Sequence, residues 1–196
     1  MTMIFSNPRS NVRPINNMNM MPMIRQTIRI APRAPIVAQP PSEPPKKKMK
    51  WGEPTWIFLH TIAQKIRDDR FPAMREQILN KINIICRNLP CPDCSAHASK
   101  YLDTINFKTI VTKQDLITFL WTFHNEVNKR KGIQIADYSV LYKYTTANTN
   151  NVINYFLIMY SDKSPSIKMI ANDFYRERLI KDLKVWLIDN LSNFDA

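Results

Sequence analysis

Residues 112–131 read TKQDLITFLWTFHNEVNKRK, and this stretch decides the fold class. Thr112 with Asp115 three residues on is a capping box, in which the hydroxyl accepts from the backbone ahead and the carboxylate reaches back. At about 100° of turn per residue, Leu116, Phe119, Leu120, Phe123 and Val127 fall on one helical face. Trp121, His124, Asn125 and Asn128 gather on a second face, roughly 130° away. The spacing predicts an α-helix to about Lys131 with two faces withdrawn from water. An indole, an imidazole and two carboxamides suit a planar heteroaromatic ligand with ring nitrogens and carbonyls. The plainer reading is a solvated polar side with one stray tryptophan, and this helix alone weighs the two equally.

The same period extends outward. Glu53–Pro54 starts a helix carrying Trp56, Leu59, Ala63 and Ile66 on one side, with proline in its favoured first turn. Phe71–Pro72 starts another, with Met74, Ile78, Ile82, Ile85 and Leu89 as its stripe; Pro90 ends it by excluding helical backbone at the residue before. A third begins at Cys91–Pro92 and runs to about Leu102. A short helix is expected near Tyr138–Tyr144. Beyond the polar break Asn148–Asn151, the last fifty residues look like an appendage. Ser164–Pro165 marks a helix start there, and Ile167, Ile170, Phe174, Leu179 or Ile180, Leu183, Leu187 and Leu191 form its stripe. The predicted class is all-α, a small bundle.

Composition narrows the function classes. The 196 residues hold two glycines, Gly52 and Gly132, so neither a G-x-G-x-x-G fingerprint nor a Walker loop exists. Three cysteines make no disulfide framework. Lys and Arg number 28 against 16 acids, a formal net charge of +12. Nine of those cations, from Arg9 to Lys50, face a single acid, Glu43, in residues 1–50, which also hold nine of the 14 prolines. With no apolar period to bury, this stretch reads as a disordered basic tail. It suits solubility, or weak and salt-dependent contact with nucleic acid or an anionic surface, without the aromatic interleaving that base stacking needs. The expected organisation is a tail over 1–50, a domain over 51–147 and a helical extension over 148–196. The longest apolar patch, Val152–Tyr160, is broken by Asn154 and has about half the length a bilayer requires. No secretory signal is visible, which leads to the expectation of a soluble cytoplasmic protein.

Two further clusters carry chemistry. In Cys91-Pro92-Asp93-Cys94 two thiols sit three residues apart at a helix start, where the helix dipole favours a thiolate on the exposed one. That is the reactive species of thiol–disulfide exchange. The same spacing with His97 is three quarters of a zinc site, and the motif alone leaves redox and metal roles about even. Ser95 stands where haem attachment needs histidine. Trp51-Gly52 with Trp56 and His60, the last two at i, i+4, is the other cluster; taken alone, it is most simply a core tryptophan with a satisfied histidine. Cys86 reads as a small buried apolar residue, with an intermolecular disulfide as the alternative.

Taken together, Trp51-Gly52-x3-Trp56-x2-Leu59-His60, Cys91-x2-Cys94-x2-His97 and Trp121-x2-His124-Asn125-x-Val127-Asn128 resemble the Erv/ALR family of FAD-linked sulfhydryl oxidases. The likeness runs from Trp51 to Tyr144 and is nearest to members encoded by large cytoplasmic DNA viruses. It implies a four-helix bundle with a short fifth helix, non-covalent FAD and a homodimer. By that resemblance, Cys91 and Cys94 are the redox pair, Cys91 the attacked sulfur and Cys94 the flavin-proximal one. Gly52, Trp56, His60 and His97 would surround the flavin ring. Trp121, His124, Asn125, Val127 and Asn128 would hold adenine and ribose, Arg130 and Lys131 the diphosphate, and Lys143 and Tyr144 would close the site.

The resemblance also implies what this chain does differently. A family lysine is replaced by Ile133, leaving Lys131 or Arg130 to substitute. No second, shuttle dithiol exists, so protein thiols reach the pair directly or through a separate relay dithiol protein. Electrons would pass from the pair to FAD and on to O2, giving hydrogen peroxide, in the host cytoplasm or virion for a viral protein. The competing reading is a non-catalytic zinc-binding helical module built on Cys91, Cys94 and His97.

Overall fold

The computed structural model describes residues 50–161 and 170–196. The basic arm up to residue 49, the Ser164–Pro165 helix start and Ile167 lie outside the described residues.

Helix α1, Gly52–Lys65, begins one residue before Glu53, with Thr55 bonded to the Trp51 carbonyl through both its amide and its hydroxyl. It carries Glu53 in its first turn and Lys65 in its last, each complementing the helix dipole. Helix α2, Phe71–Arg87, has proline in its first turn and buries Met74, Ile78, Ile82 and Ile85 of the predicted stripe; it ends before Leu89, which is half-buried in the loop ahead of Pro90. Helix α3, Pro92–Leu102, starts directly after Cys91, and helix α4, Lys113–Arg130, starts from the Thr112–Asp115 capping box. A 3-10 helix covers Tyr138–Tyr144. Among the described residues there is no strand, only an isolated antiparallel bridge between Ile66 and Phe194. The all-α expectation holds.

The C-terminal part contributes to the core. Helix α5, Thr149–Tyr160, is capped by Asn148, whose side chain accepts from the Asn151 amide. The polar break is therefore a helix start. Helix α1 lies between α4 and α5, and Phe58 of α1 stacks on Phe156 of α5 with centroids 4.2 Å apart. Helix α6, Ile170–Asn190, reaches α2 through Trp186, whose indole donates to Gln77 at 2.8 Å while Lys81 lies over its ring. Asp195 and Ala196 bond to Lys65 at the end of α1.

One element of the predicted stripe is corrected. Phe174 is 67% exposed, because the buried face of α6 is Arg176, Leu179, Leu183 and Leu187, and Phe174 sits about half a turn from Leu183. Arg176 occupies that face with its charge paired to Asp173 at 2.6 Å.

Candidate active site

The loop after α2 delivers Cys91 to the first turn of α3. Its Sγ accepts the Cys94 amide at 3.3 Å, so the sulfur itself caps the helix. A helix N–H aimed at sulfur favours negative charge there. Cys94, one turn on, lines a cavity of about 600 Å³. Its thiol is pushed up to about 11, first by burial and then by its hydrogen bond and charge interaction with Cys91, while Lys131 and Arg130 pull it down. Cys86, Cys91 and Cys94 are all unpaired thiols. The two thiols of the motif thus occupy different environments, one at the helix tip and one in the cavity wall.

The cavity lies between α1, α3 and the last turns of α4, with Lys143 and Tyr144 closing it from the 3-10 helix. On one side Trp56 and His124 stack, and behind them His60 Nε2 and His124 Nδ1 share a hydrogen bond of 3.0 Å. The Tyr144 ring stacks on His60, and Lys143 lies 4.9 Å over that phenol. Burial is the main cause holding His60 down to about 3, with His124 and Lys143 adding to it. His124 is held down to about 4 by burial, then by Lys131 and Lys143. Both imidazoles are therefore neutral at pH 7, and each ring nitrogen pair offers one donor and one acceptor. Arg130, Lys131 and Lys143 line the cavity against two acids, Glu53 and Glu126.

Of the residues the sequence singled out, Gly52, Trp56, Cys94, His97, His124, Val127, Asn128, Arg130, Lys131, Lys143 and Tyr144 line this one cavity. His60 stands behind its wall, and Cys91 lies at the helix tip outside the lining. Trp121 and Asn125 do not line it. The Trp121 indole donates to the Ala136 carbonyl at 3.1 Å, and Asn125 donates to that carbonyl at 3.1 Å and accepts from the Ala136 amide at 2.9 Å. The cause is a reversal at the end of α4. Gly132 takes φ +67°, its amide meets the Lys129 carbonyl, and the Ile133 amide meets the Asn128 carbonyl. This Schellman turn throws residues 133–137 back across the helix, onto the face that carries Trp121 and Asn125. Gly132 following a basic helix end was the signal for it.

Sequence reasoning missed several lining residues. Tyr101 and Phe123 line the cavity and stack on each other at 4.6 Å, nearly parallel. Cys94, His97, Ala98 and Tyr101 follow helical spacing along α3, which was the available sign. Cys86 also lines the cavity, 3% exposed, its thiol pushed up to about 12 by burial. Among the described residues no group of three or more His, Cys, Asp or Glu is placed to hold a metal ion.

Comparison with known proteins points the same way. The Erv1 / Alr family model matches residues 53–149. The FAD-linked sulfhydryl oxidase of African swine fever virus (isolate Tick/Malawi/Lil 20-1/1983) is 32% identical over 104 residues, covering 52% of this chain and 87% of that protein. The chain belongs to the Erv1/Alr family. A protein of Invertebrate iridescent virus 3, whose name places it with the FAD-linked sulfhydryl oxidases, is 32% identical over 96 residues. That match covers 48% of this chain and 65% of that one. The FAD-linked sulfhydryl oxidase ERV1 of Oryza sativa subsp. japonica is 28% identical over 123 residues, 63% of each chain. The chain thus spans a little under two thirds of these last two relatives. No solved structure matches it. The Cys91–Cys94 turn, the Trp56–His124 stack and all of the cavity lining except Trp51 and Gly52 lie within the matched residues.

Proposed function

We propose that the chain is an FAD-dependent thiol oxidase that forms disulfides in protein substrates. The observation that carries this reading is that Cys94 lies in the wall of the same cavity as the Trp56–His124 stack, with Cys91 one helical turn away at the tip.

The residues present fit FAD. A cavity of about 600 Å³ is within the usual range for cofactor sites, roughly 300–1,000 Å³. Its aromatic wall suits a flat ring system, and three cations suit a diphosphate. Gly52 adds an independent sign: a Cβ there would meet nothing within 4 Å, so protein packing does not explain the missing side chain, whereas a ligand in the cavity does. Gly52, Trp56, His97 and His124 would hold the flavin part, with His60 buttressing His124. Val127 and Asn128 would hold adenine and ribose, with Trp121 and Asn125 acting through the 133–137 segment. Arg130, Lys131 and Lys143 would meet the diphosphate, and Tyr144 would close the site. When bound, FAD takes the electron pair from the dithiol and delivers it to O2, giving hydrogen peroxide.

The chain's own residues perform the exchange. With Cys91 and Cys94 joined, a substrate thiolate attacks Cys91 Sγ and the Cys91–Cys94 bond breaks, its electron pair leaving on Cys94. The second substrate thiol then attacks the substrate sulfur of the mixed disulfide. Cys91 leaves, and the substrate carries the new disulfide. Lys131 and Arg130 favour the negative charge that Cys94 acquires, against its burial.

Substrates are protein thiols, met directly or through a relay dithiol protein, since Cys86 is buried and is the one other cysteine of the chain. Exposed apolar residues on α5 and α6, such as Ile158, Phe174, Val185 and Ile188, support a homodimer. Viral relatives support a place in the host cytoplasm or the virion. Purified protein should show the absorption of oxidised flavin and consume oxygen on addition of dithiothreitol. A colourless protein that takes up no FAD sinks the reading.

A further inference from the structure

The end of α2 carries the loop to the redox pair, and of its last carbonyls that of Ile85 accepts the Asn88 amide at 3.1 Å, while the others depend on partners outside the helix. Side chains supply them from three directions. Asn88 Nδ2 donates to the Ile84 carbonyl at 2.7 Å, and Ser95 Oγ, from the first turn of α3, donates to the Arg87 carbonyl. The third donor comes from the C-terminal part of the chain. Tyr160, the last residue of α5 and 0% exposed, places its hydroxyl 2.8 Å from the Ile85 carbonyl and 2.7 Å from the Asn88 carbonyl. Its ring is held by Phe156, centroids 5.0 Å apart, which itself stacks on Phe58 of α1. Between Asn88 and Cys91 stand Leu89, which lines the cavity, and Pro90, whose φ is fixed by its ring. Little freedom separates the clamped carbonyl from the sulfur.

We propose that Tyr160 is a positioning residue for the Cys91–Cys94 pair, its hydroxyl acting with Ser95 to hold the end of α2 so that the two sulfurs keep their place at the helix tip and the cavity. This rests on the reading of that pair as the redox centre. It gives the segment beyond residue 148 a task in the chemistry: the loop that presents the dithiol is anchored by a helix from the extension. Holding two sulfurs close favours the joined form over the dithiol, and loosening their support weakens that preference.

The test is Tyr160→Phe in the full FAD-loaded chain, which removes one oxygen and leaves the ring packing. In glutathione redox buffers, read by alkylation and mass, the Cys91–Cys94 equilibrium should move about threefold or more toward the dithiol. Flavin reduction by dithiothreitol without oxygen should slow about tenfold. Reoxidation by oxygen after dithionite reduction, and FAD content, should match the wild type. Should Tyr160→Phe not yield holoprotein, Ser95→Ala removes another of the three side-chain donors at the same helix end and must show the same split. An unchanged glutathione equilibrium with both half-reactions at wild-type rates overturns the proposal. So does an equal decline of FAD content and both half-reactions, which is the mark of a merely structural tyrosine. A failure of the functional reading is distinct, because it appears already in the wild-type control as a chain that oxidises no dithiol.

Discussion

The indole of Trp56 and the imidazole of His124 lie face to face, ring centroids 4.0 Å apart and planes 6° from parallel. One residue comes from α1 and the other from α4, so the stack joins the two helices and forms part of the cavity wall. Such aromatic pairs contribute about 0.5–1.5 kcal/mol beyond the area they bury. Trp56→Ala should therefore do two things at once: lower the thermal midpoint of the apoprotein by several degrees and reduce flavin retention through gel filtration. A variant that keeps full flavin content would remove Trp56 from the site.

Cys91→Ser and Cys94→Ser should each stop oxygen uptake driven by dithiothreitol while flavin absorption remains. The proposed mechanism gives each sulfur its own step, attack at the helix tip for one and transfer at the cavity for the other. Oxygen electrode traces with both variants check it, and undiminished uptake in the two would exclude this dithiol as the route.

Stability should fall as pH drops from about 6.5 to about 4. His60 and His124 have depressed values, about 3 and about 4, against 6.5 when unfolded. In that window the unfolded chain binds more protons, so stability rises with pH and is lost on acidification. Asp115 and Asp137, held below 3.8 by hydrogen bonds from Thr112 and Ser139 respectively, add their own loss only at lower pH. Thermal melts at pH 7, 6, 5 and 4 check the slope. His60→Gln should flatten it, and an equally steep slope in that variant would place its origin elsewhere.

Cys86 is buried, and burial pushes its thiol up to about 12, so almost none is thiolate at pH 8. It should resist alkylation in the native protein and react only after unfolding. Cys86→Ala should cost about 1 kcal/mol in stability through the lost sulfur contacts. Turnover should stay within about twofold, because neither exchange step uses this sulfur. Rapid native-state labelling of Cys86, read by peptide mass, is the contrary result.

Phe156→Ala should destabilise the fold by about 3–5 kcal/mol, since it empties the space against Phe58 and beside Tyr160. In a chain of this size that is a fall of roughly 10 °C or more. A single cooperative melt at the lower temperature is expected, because α5 shares its core with α1. Two separate transitions would mean that the extension folds independently.

The helices were legible because helical order is written in local terms. Thr112 with Asp115, Pro72 and Pro92 at first turns, and Pro90 at an end each act within one turn of backbone. The three motifs were legible for the same reason, since i, i+3 and i, i+4 spacing sets which side chains share a face. What spacing leaves open is the partner of each face. Trp121 and Asn125 share a face with His124, yet they clasp the Ala136 peptide, while His124 reaches the cavity. That division depends on where a Gly132 turn sends the following five residues.

Residue order and helical period were enough to give the all-α class and the starts of the first four helices, while the pairing of the dithiol with an indole and imidazole cluster came from resemblance to a family. They were not enough to show that Tyr160 bonds to the Asn88 carbonyl across 72 residues, or that α5 completes the core on α1. Capping and periodicity are short-range and act before the chain is compact. A buried hydroxyl meeting the last carbonyls of a distant helix depends on how whole helices pack, and it exists only once they have packed.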